Sequence, residues 1–154
     1  MTHFYLFSDA SCNPSTNKSI GCYTLIQNLA SNLDIHIHKM DFSSSTMAEL
    51  HTIREALKYT HKVIKELNVK DIEITLYVDC KNFVDLIVKR KDKENIKTHR
   101  NYELYKELID LVAVYKTNVC WLKGHDKKDN KILDTQKIFS VIDKKARELC
   151  RELA

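Results

Sequence analysis

The chain has 154 residues, 44% hydrophobic and 30% charged, with a formal net charge of +4; this suits a single domain over residues 1–154 and is compatible with a polyanionic partner without demanding one. No run of about 18 apolar residues exists to span a membrane, and Met1 to Phe7 turns polar too soon for a secretory signal, so a cytoplasmic location is expected. Five scattered cysteines never form a CxxC pair, and two glycines build no phosphate-binding loop, which argues against a disulfide framework, a zinc ribbon and the commonest nucleotide-binding enzymes.

His3 to Asp9 is aromatic and aliphatic and predicts a strand. Ser11 to Lys18 is polar, holds the only proline and predicts a loop. Ile20 to Asn28 predicts a second strand. In Leu33 to Met40, Leu33, Ile35 and Ile37 alternate with Asp34, His36 and His38, the period of a half-exposed strand. Short links suggest that the three form an antiparallel meander. The hydroxyl residues Ser43 to Thr46 can cap a helix, and Met47 to Asn68 has helical apolar spacing. Ile72 to Val78 is apolar enough for a central parallel strand. Lys81 to Val88 is a short helix, Lys89 to Arg100 a charged segment, and Asn101 to Tyr115 a helix. Asn118 to Lys123 is a strand, Gly124 to Asn130 a polar loop, and Ile132 to Leu153 a closing helix. The order βββ-α-β-α-α-β-α predicts one mixed sheet with helices packed on it.

Four acids occupy unusual places. Asp9 and Asp79 each close a predicted strand, and in α/β sheets ligands bind beyond the carboxyl ends of strands. Glu49 heads the apolar stripe that continues through Ile53 and Ala56. Asp143 shares its helix side with Phe139, Ala146 and Cys150. Taken singly, these are ordinary: a turn residue, a first-turn acid, or a partner for a basic residue on the same helix. Together they form a hard-oxygen set suited to Mg²⁺, with Mn²⁺ as the alternative.

At this point the sequence resembles type 1 ribonuclease H over essentially its whole length. The resemblance rests on F-S-D-A-S-C-N-P around Asp9, S-T-M-A-E-L around Glu49, L-Y-V-D-C-K-N around Asp79, W-L-K-G-H around His125 and V-I-D-K-K-A-R-E-L around Asp143, in the family's order. It implies a ribonuclease H-like fold, a five-stranded sheet with three antiparallel and two parallel strands. It implies endonucleolytic cleavage of the RNA strand of an RNA/DNA hybrid by a monomer, leaving 5′-phosphate and 3′-hydroxyl ends. Two Mg²⁺ ions about 4 Å apart are implied on Asp9, Glu49, Asp79 and Asp143. Asp9 would be shared between them, Asp79 would serve the attacking-water side, and Glu49 would also sense an RNA 2′-OH. His125 would assist proton movement or product departure. Contacts to the RNA are implied for Ser11, Cys12, Asn13, Ser45 and Thr46, and a phosphate contact for Lys81 and Asn82. The cationic run from Lys89 to Arg100 suits either a nucleic-acid backbone or plain solvent.

Three features depart from the family's pattern. The loop after Asp9 lacks its glycines, no tryptophan-rich basic protrusion is evident, and Lys127 to Phe139 lengthens the gap between His125 and Asp143. Asp129 and Asp134 fall in that stretch and compete with Asp143 for the fourth acid, Asp143 being preferred on motif. A 3′–5′ exonuclease with this sheet would carry Asp-x-Glu on its first strand, where Asp9-Ala10-Ser11 stands here. Junction resolvases share the sheet and are not separated by fold. A non-catalytic binding module is a further alternative, which the presence of all four acids disfavours.

Overall fold

The structure is a computed structural model that describes residues 1–122 and 134–153. The first forty residues form the antiparallel meander β1 (Thr2–Asn13), β2 (Lys18–Ile26) and β3 (His36–Met40). β4 (Ile72–Val78) adds to the other side of β1 in parallel, and β5 (Asn118–Trp121) adds in parallel to β4. The resulting five-stranded mixed sheet has the order β3-β2-β1-β4-β5: the element order predicts one mixed sheet, and the five strands, three antiparallel and two parallel, are those the resemblance implies.

Side-chain alternation along β1 gives the sheet two apolar faces. Leu6, Leu76 and Val78 pack on α1 (Ser45–Leu67), α2 (Lys81–Asp85) and α3 (Tyr102–Val114) through Ile53, Leu57, Phe83 and Leu108. Phe7 and Cys22 face the other way, onto Ile138, Phe139, Ile142 and Ala146 of α4 (Asp134–Glu152). Phe7 also stacks on Tyr77, ring centroids 4.7 Å apart, which ties β1 to β4 at the last pair of their register. No helix among the described residues is long and apolar enough to cross a membrane.

Local chemistry fixes α1 at both ends. Ser44 Oγ accepts a hydrogen bond from the Met47 N–H at 3.3 Å, and Asn68 closes the helix in the left-handed region at φ 53°, where Asn is tolerated. Between these ends the helix lies unusually close to β2. A Cβ on Gly21 would overlap the buried Thr52 side chain, so the absence of a side chain at 21 sets that spacing. Thr52 Oγ1 meanwhile donates to Ala48 O at 2.7 Å.

Several elements differ from expectation. β1 does not stop at Asp9: pairing with β2 carries it to Asn13, so Ser11, Cys12 and Asn13 are strand residues. In β3 the two faces are exchanged, with Ile37 47% exposed and His36 stacked between Tyr23 and Tyr59. The reason is coverage: α1 packs over one face of this edge strand, while α4 packs on β1 and β2. The helix after β4 is shorter than expected, becoming a π turn at Leu86–Arg90, and the charged segment contains a 3₁₀ turn at Glu94–Thr98. Several histidines pack on aromatic rings: His51 stacks on Phe42, His61 meets the edge of Tyr115, and His3 stacks on Tyr5.

Candidate active site

The site begins where β1 loses one neighbour and keeps the other. Pairing of β1 with β4 ends at Phe7↔Tyr77, whereas pairing with β2 runs on to Asn13↔Lys18. Two residues past that last parallel pair stand Asp9 on β1 and Asp79 just after β4. The divergence leaves a small recess at the sheet edge, lined by Ser8, Asp9, Glu49, Ile53, Val78, Asp79 and Cys80. Asp9 therefore sits at the mouth of a fork inside a strand, not at a strand's end.

Helix spacing brings in the other two acids. Glu49 lies one turn above Ile53, which is packed on the sheet, so its carboxyl enters the recess from the α1 face. Asp143 comes from the opposite face: Phe139, Ile142 and Ala146 anchor α4 on β1 and β2, and the Asp143 carboxyl reaches hydrogen-bonding contact with that of Asp9. Asp143 also accepts an ion pair from Arg147 at 2.9 Å, the same-helix partnership its spacing allows. Asp134 is exposed at the start of α4, nine residues or roughly 13 Å along the axis from Asp143.

Electrostatics set Asp9 and Glu49 apart from surface carboxylates. Asp9, only 7% exposed, has a pKa raised well above the carboxylate range, first by burial, then by the hydrogen bond and charge of Asp143 and the charge of Glu49. Glu49 is pushed up to about 7, again chiefly by burial, with Asp79 and Asp143 adding charge repulsion and a hydrogen bond from Cys80 working the other way. Two carboxyls in contact need a shared proton or a cation between them.

Among the described residues, no three His, Cys, Asp or Glu side chains stand close enough to enclose a metal ion as they are placed. The donor chemistry nonetheless fits a hard divalent cation. Every acid here is an oxygen donor, and among the described residues no Lys or Arg compensates the charge of Asp9 or Glu49.

None of the remaining sequence candidates among the described residues lines this recess itself. Cys12 Sγ approaches Ser43 O at 3.5 Å, bringing the end of β1 to the segment that caps α1. Asn82 Nδ2 donates to Thr46 Oγ1 at 3.4 Å, joining the starts of α2 and α1, where Ser45 and Lys81 are exposed. Ser11, Cys12 and Asn13 line a second recess with Arg147 and Arg151 of α4, basic neighbours that the sequence reading did not single out. Their signal was present: both lie on the Asp143 helix, four and eight residues on. His125 and Asp129 lie outside the described residues.

Comparison with known proteins comes to bear on this geometry. The RNase H family model matches residues 1–137. The chain belongs to the RNase H family. Asp143 lies beyond the matched span, so its place beside Asp9 rests on the fold. Solved structures agree on the architecture. The N-terminal RNase H domain of Rv2228c from Mycobacterium tuberculosis, solved as a fusion with maltose-binding protein, superposes with a TM-score of 0.68 at 12% identity, covering 99% of this chain and 98% of that one. The prototype foamy virus protease–reverse transcriptase matches with a TM-score of 0.62 at 14% identity, covering 96% of this chain but 20% of its own. LC9-RNase H1, described as a type 1 RNase H with the type 2 active-site motif, gives 0.62 at 15% identity, over 81% of this chain and 64% of that one. At such identities the likeness is one of fold. No curated protein sequence matches this RNase H chain.

Proposed function

We propose that this RNase H family member is an endonuclease that hydrolyses the RNA strand of an RNA/DNA hybrid. The observation that carries the reading is the meeting of acids from the fork between β1 and β4 and from two helices: Asp9 in contact with Asp143, and Glu49 entering the recess that Asp79 also lines. A recess in which burial and neighbouring acids raise the pKa of Asp9 and Glu49 is suited to cations.

In this reading Asp9, Glu49, Asp79 and Asp143 hold two Mg²⁺ ions, or Mn²⁺ in their place. When bound, such ions acidify a water and stabilise charge on the phosphate and the departing oxygen. The chain's own residues do the rest. Asp9, common to both sides of the fork, would help hold both ions, whose positive charge would draw the scissile phosphate to the recess. Asp79 orients the water for attack on phosphorus in line with the O3′ that leaves. The P–O3′ bond breaks as the new P–O bond forms, so the products carry a 5′ phosphate and a 3′ hydroxyl, the water's proton passing to solvent and the leaving oxygen gaining one. Glu49 accepts from the neighbouring 2′-OH, a group DNA lacks. Ser11, Cys12, Asn13, Ser45 and Thr46 line the path of the RNA strand, with Lys81 and Asn82 beside a phosphate. His125 moves protons or helps product leave. A recess with Lys91, Lys93, Lys97 and Lys106 around Tyr102 supplies backbone attraction further from the cut.

The test is cleavage of an end-labelled RNA/DNA hybrid, RNA duplex, DNA duplex and DNA junction in Mg²⁺, Mn²⁺ or EDTA, with wild type and Asp9→Asn. Cutting of the hybrid's RNA strand alone, lost in EDTA and in Asp9→Asn, is expected. Cutting of DNA or junction substrates in preference, or activity undiminished by Asp9→Asn, refutes the assignment.

A further inference from the structure

Two small polar groups in the recess are not used by the chemistry above. Cys80 is 4% exposed and Ser8 2%, and both line the cleft that contains Asp9, Glu49 and Asp79. Cys80 stands at the head of α2, the position at which a Ser, Thr, Asp or Asn side chain normally accepts from the helix's free N–H groups. There the thiol sulfur faces the N–H groups of Asn82 and Phe83, and the thiol also lies within hydrogen-bonding contact of Glu49 on α1, while Ser8 Oγ has no hydrogen-bond partner among the described residues.

A thiol is a weak, compact donor. Beside a carboxylate that has to meet a hard cation, this chemistry has a specific use: it fixes the carboxylate without neutralising it and without competing for the ion. A thiol is too soft to rival oxygen donors for Mg²⁺, and a Lys or Arg in its place would hold the acid in a salt bridge. We propose that Cys80 is a positioning residue whose thiol donates a hydrogen bond to the Glu49 carboxylate and keeps it aimed at the fork between β1 and β4. The proposal rests on the reading of this recess as a cation-binding nuclease centre. The geometry agrees with it: Cys80 lines the same recess as Glu49, Asp9 and Asp79.

The experiment compares wild type, Cys80→Ala and Cys80→Ser, with Glu49→Gln and the Glu49→Gln/Cys80→Ala double variant. Two quantities are read: the Mg²⁺ midpoint, taken from the rise in melting temperature with added MgCl₂, and the steady-state cleavage of hybrid. Loss of a group that orients a metal-binding carboxylate weakens the ion by about tenfold. Cys80→Ala is therefore expected to raise the Mg²⁺ midpoint and to lower kcat by about that factor with KM for hybrid unchanged, and Cys80→Ser to restore both. In the Glu49→Gln background Cys80→Ala should leave the midpoint where it is. If Cys80→Ala melts below the assay temperature, Cys80→Val fills the same space without a donor and takes its place. Equal behaviour of the Ala and Ser variants, whether both intact or both impaired, overturns the proposal, as does an unchanged effect of Cys80→Ala when Glu49 is already Gln. A wild type that gains stability from Mg²⁺ but cuts no hybrid overturns the nuclease reading, and the midpoints still decide the role of Cys80.

Discussion

Glu49 stores a pH-dependent strain that the metal-free protein should reveal in its melting curve. Its carboxyl moves from an ordinary value of 4.5 to about 7 on folding, so the folded state binds the proton more tightly than the unfolded chain does. The resulting stability is fully present below pH 4.5 and lost as the pH rises through 7. Across the whole transition the difference amounts to roughly 3 kcal/mol, of which about 2 kcal/mol disappears between about pH 5.5 and pH 8. Solvent at the half-buried carboxyl screens part of this, which makes it an upper figure. For a chain of this length each kcal/mol shifts the melting point by about 2–4 °C. In EDTA, wild type should thus lose up to about 8 °C between pH 5.5 and pH 8 through Glu49 alone. Asp9, raised by burial and by Asp143, adds to the loss with the same sign. Glu49→Gln cannot ionise, so its melting point should fall less over this range, and at pH 8 the variant should melt above wild type. Millimolar Mg²⁺ at pH 8 should raise wild type more than the variant. Melting is followed by circular dichroism in matched low-salt buffers. Parallel pH profiles for the two proteins would refute the reasoning, because they would mean that Glu49 carries no uncompensated charge in the fold.

Other expectations follow from the same geometry. Asp143→Asn should abolish hybrid cleavage while Asp134→Asn leaves it within about twofold; the reverse pattern in a steady-state assay would move the fourth acid to the start of α4. His125→Ala should lower kcat by about one to two orders of magnitude and leave substrate affinity near wild type, read from single-turnover and steady-state rates. Gly21→Ala should cost about 1–3 kcal/mol in urea unfolding because the new methyl meets Thr52, and the cost should shrink when Thr52→Ala is combined with it.

Much of this fold can be read from the chain because its signals are local. The bounds of β4 follow from its apolar run, and the helix expected over 47–68 and found over 45–67 from the spacing of Ile53, Ala56, Thr60 and Ile64. The placing of Asp9 opposite Asp79 follows once two strands are taken as parallel neighbours. What the sequence hides depends on partners far along the chain. β1 reaches Asn13 only because Lys18 and Ser19 come back to pair with Asn13 and Cys12. His36 turns inward because Tyr59, more than twenty residues later, offers it a ring. Cys80 reads as a small core residue, and only the position of Glu49 on another helix shows that its thiol has a polar neighbour. Arg147 illustrates a signal that was legible but ambiguous. The spacing that gives Asp143 a partner on its own helix is equally consistent with an idle surface pair, and only the contact with Asp9 distinguishes them.

The splaying of β4 away from β1 after Phe7↔Tyr77 is a property of the main chain, so the notch it opens does not depend on which side chains fill it. Exchanging an acid for its amide should delete charge while preserving shape. Silenced variants such as Asp9→Asn therefore make natural traps for capturing an uncut nucleic acid in place.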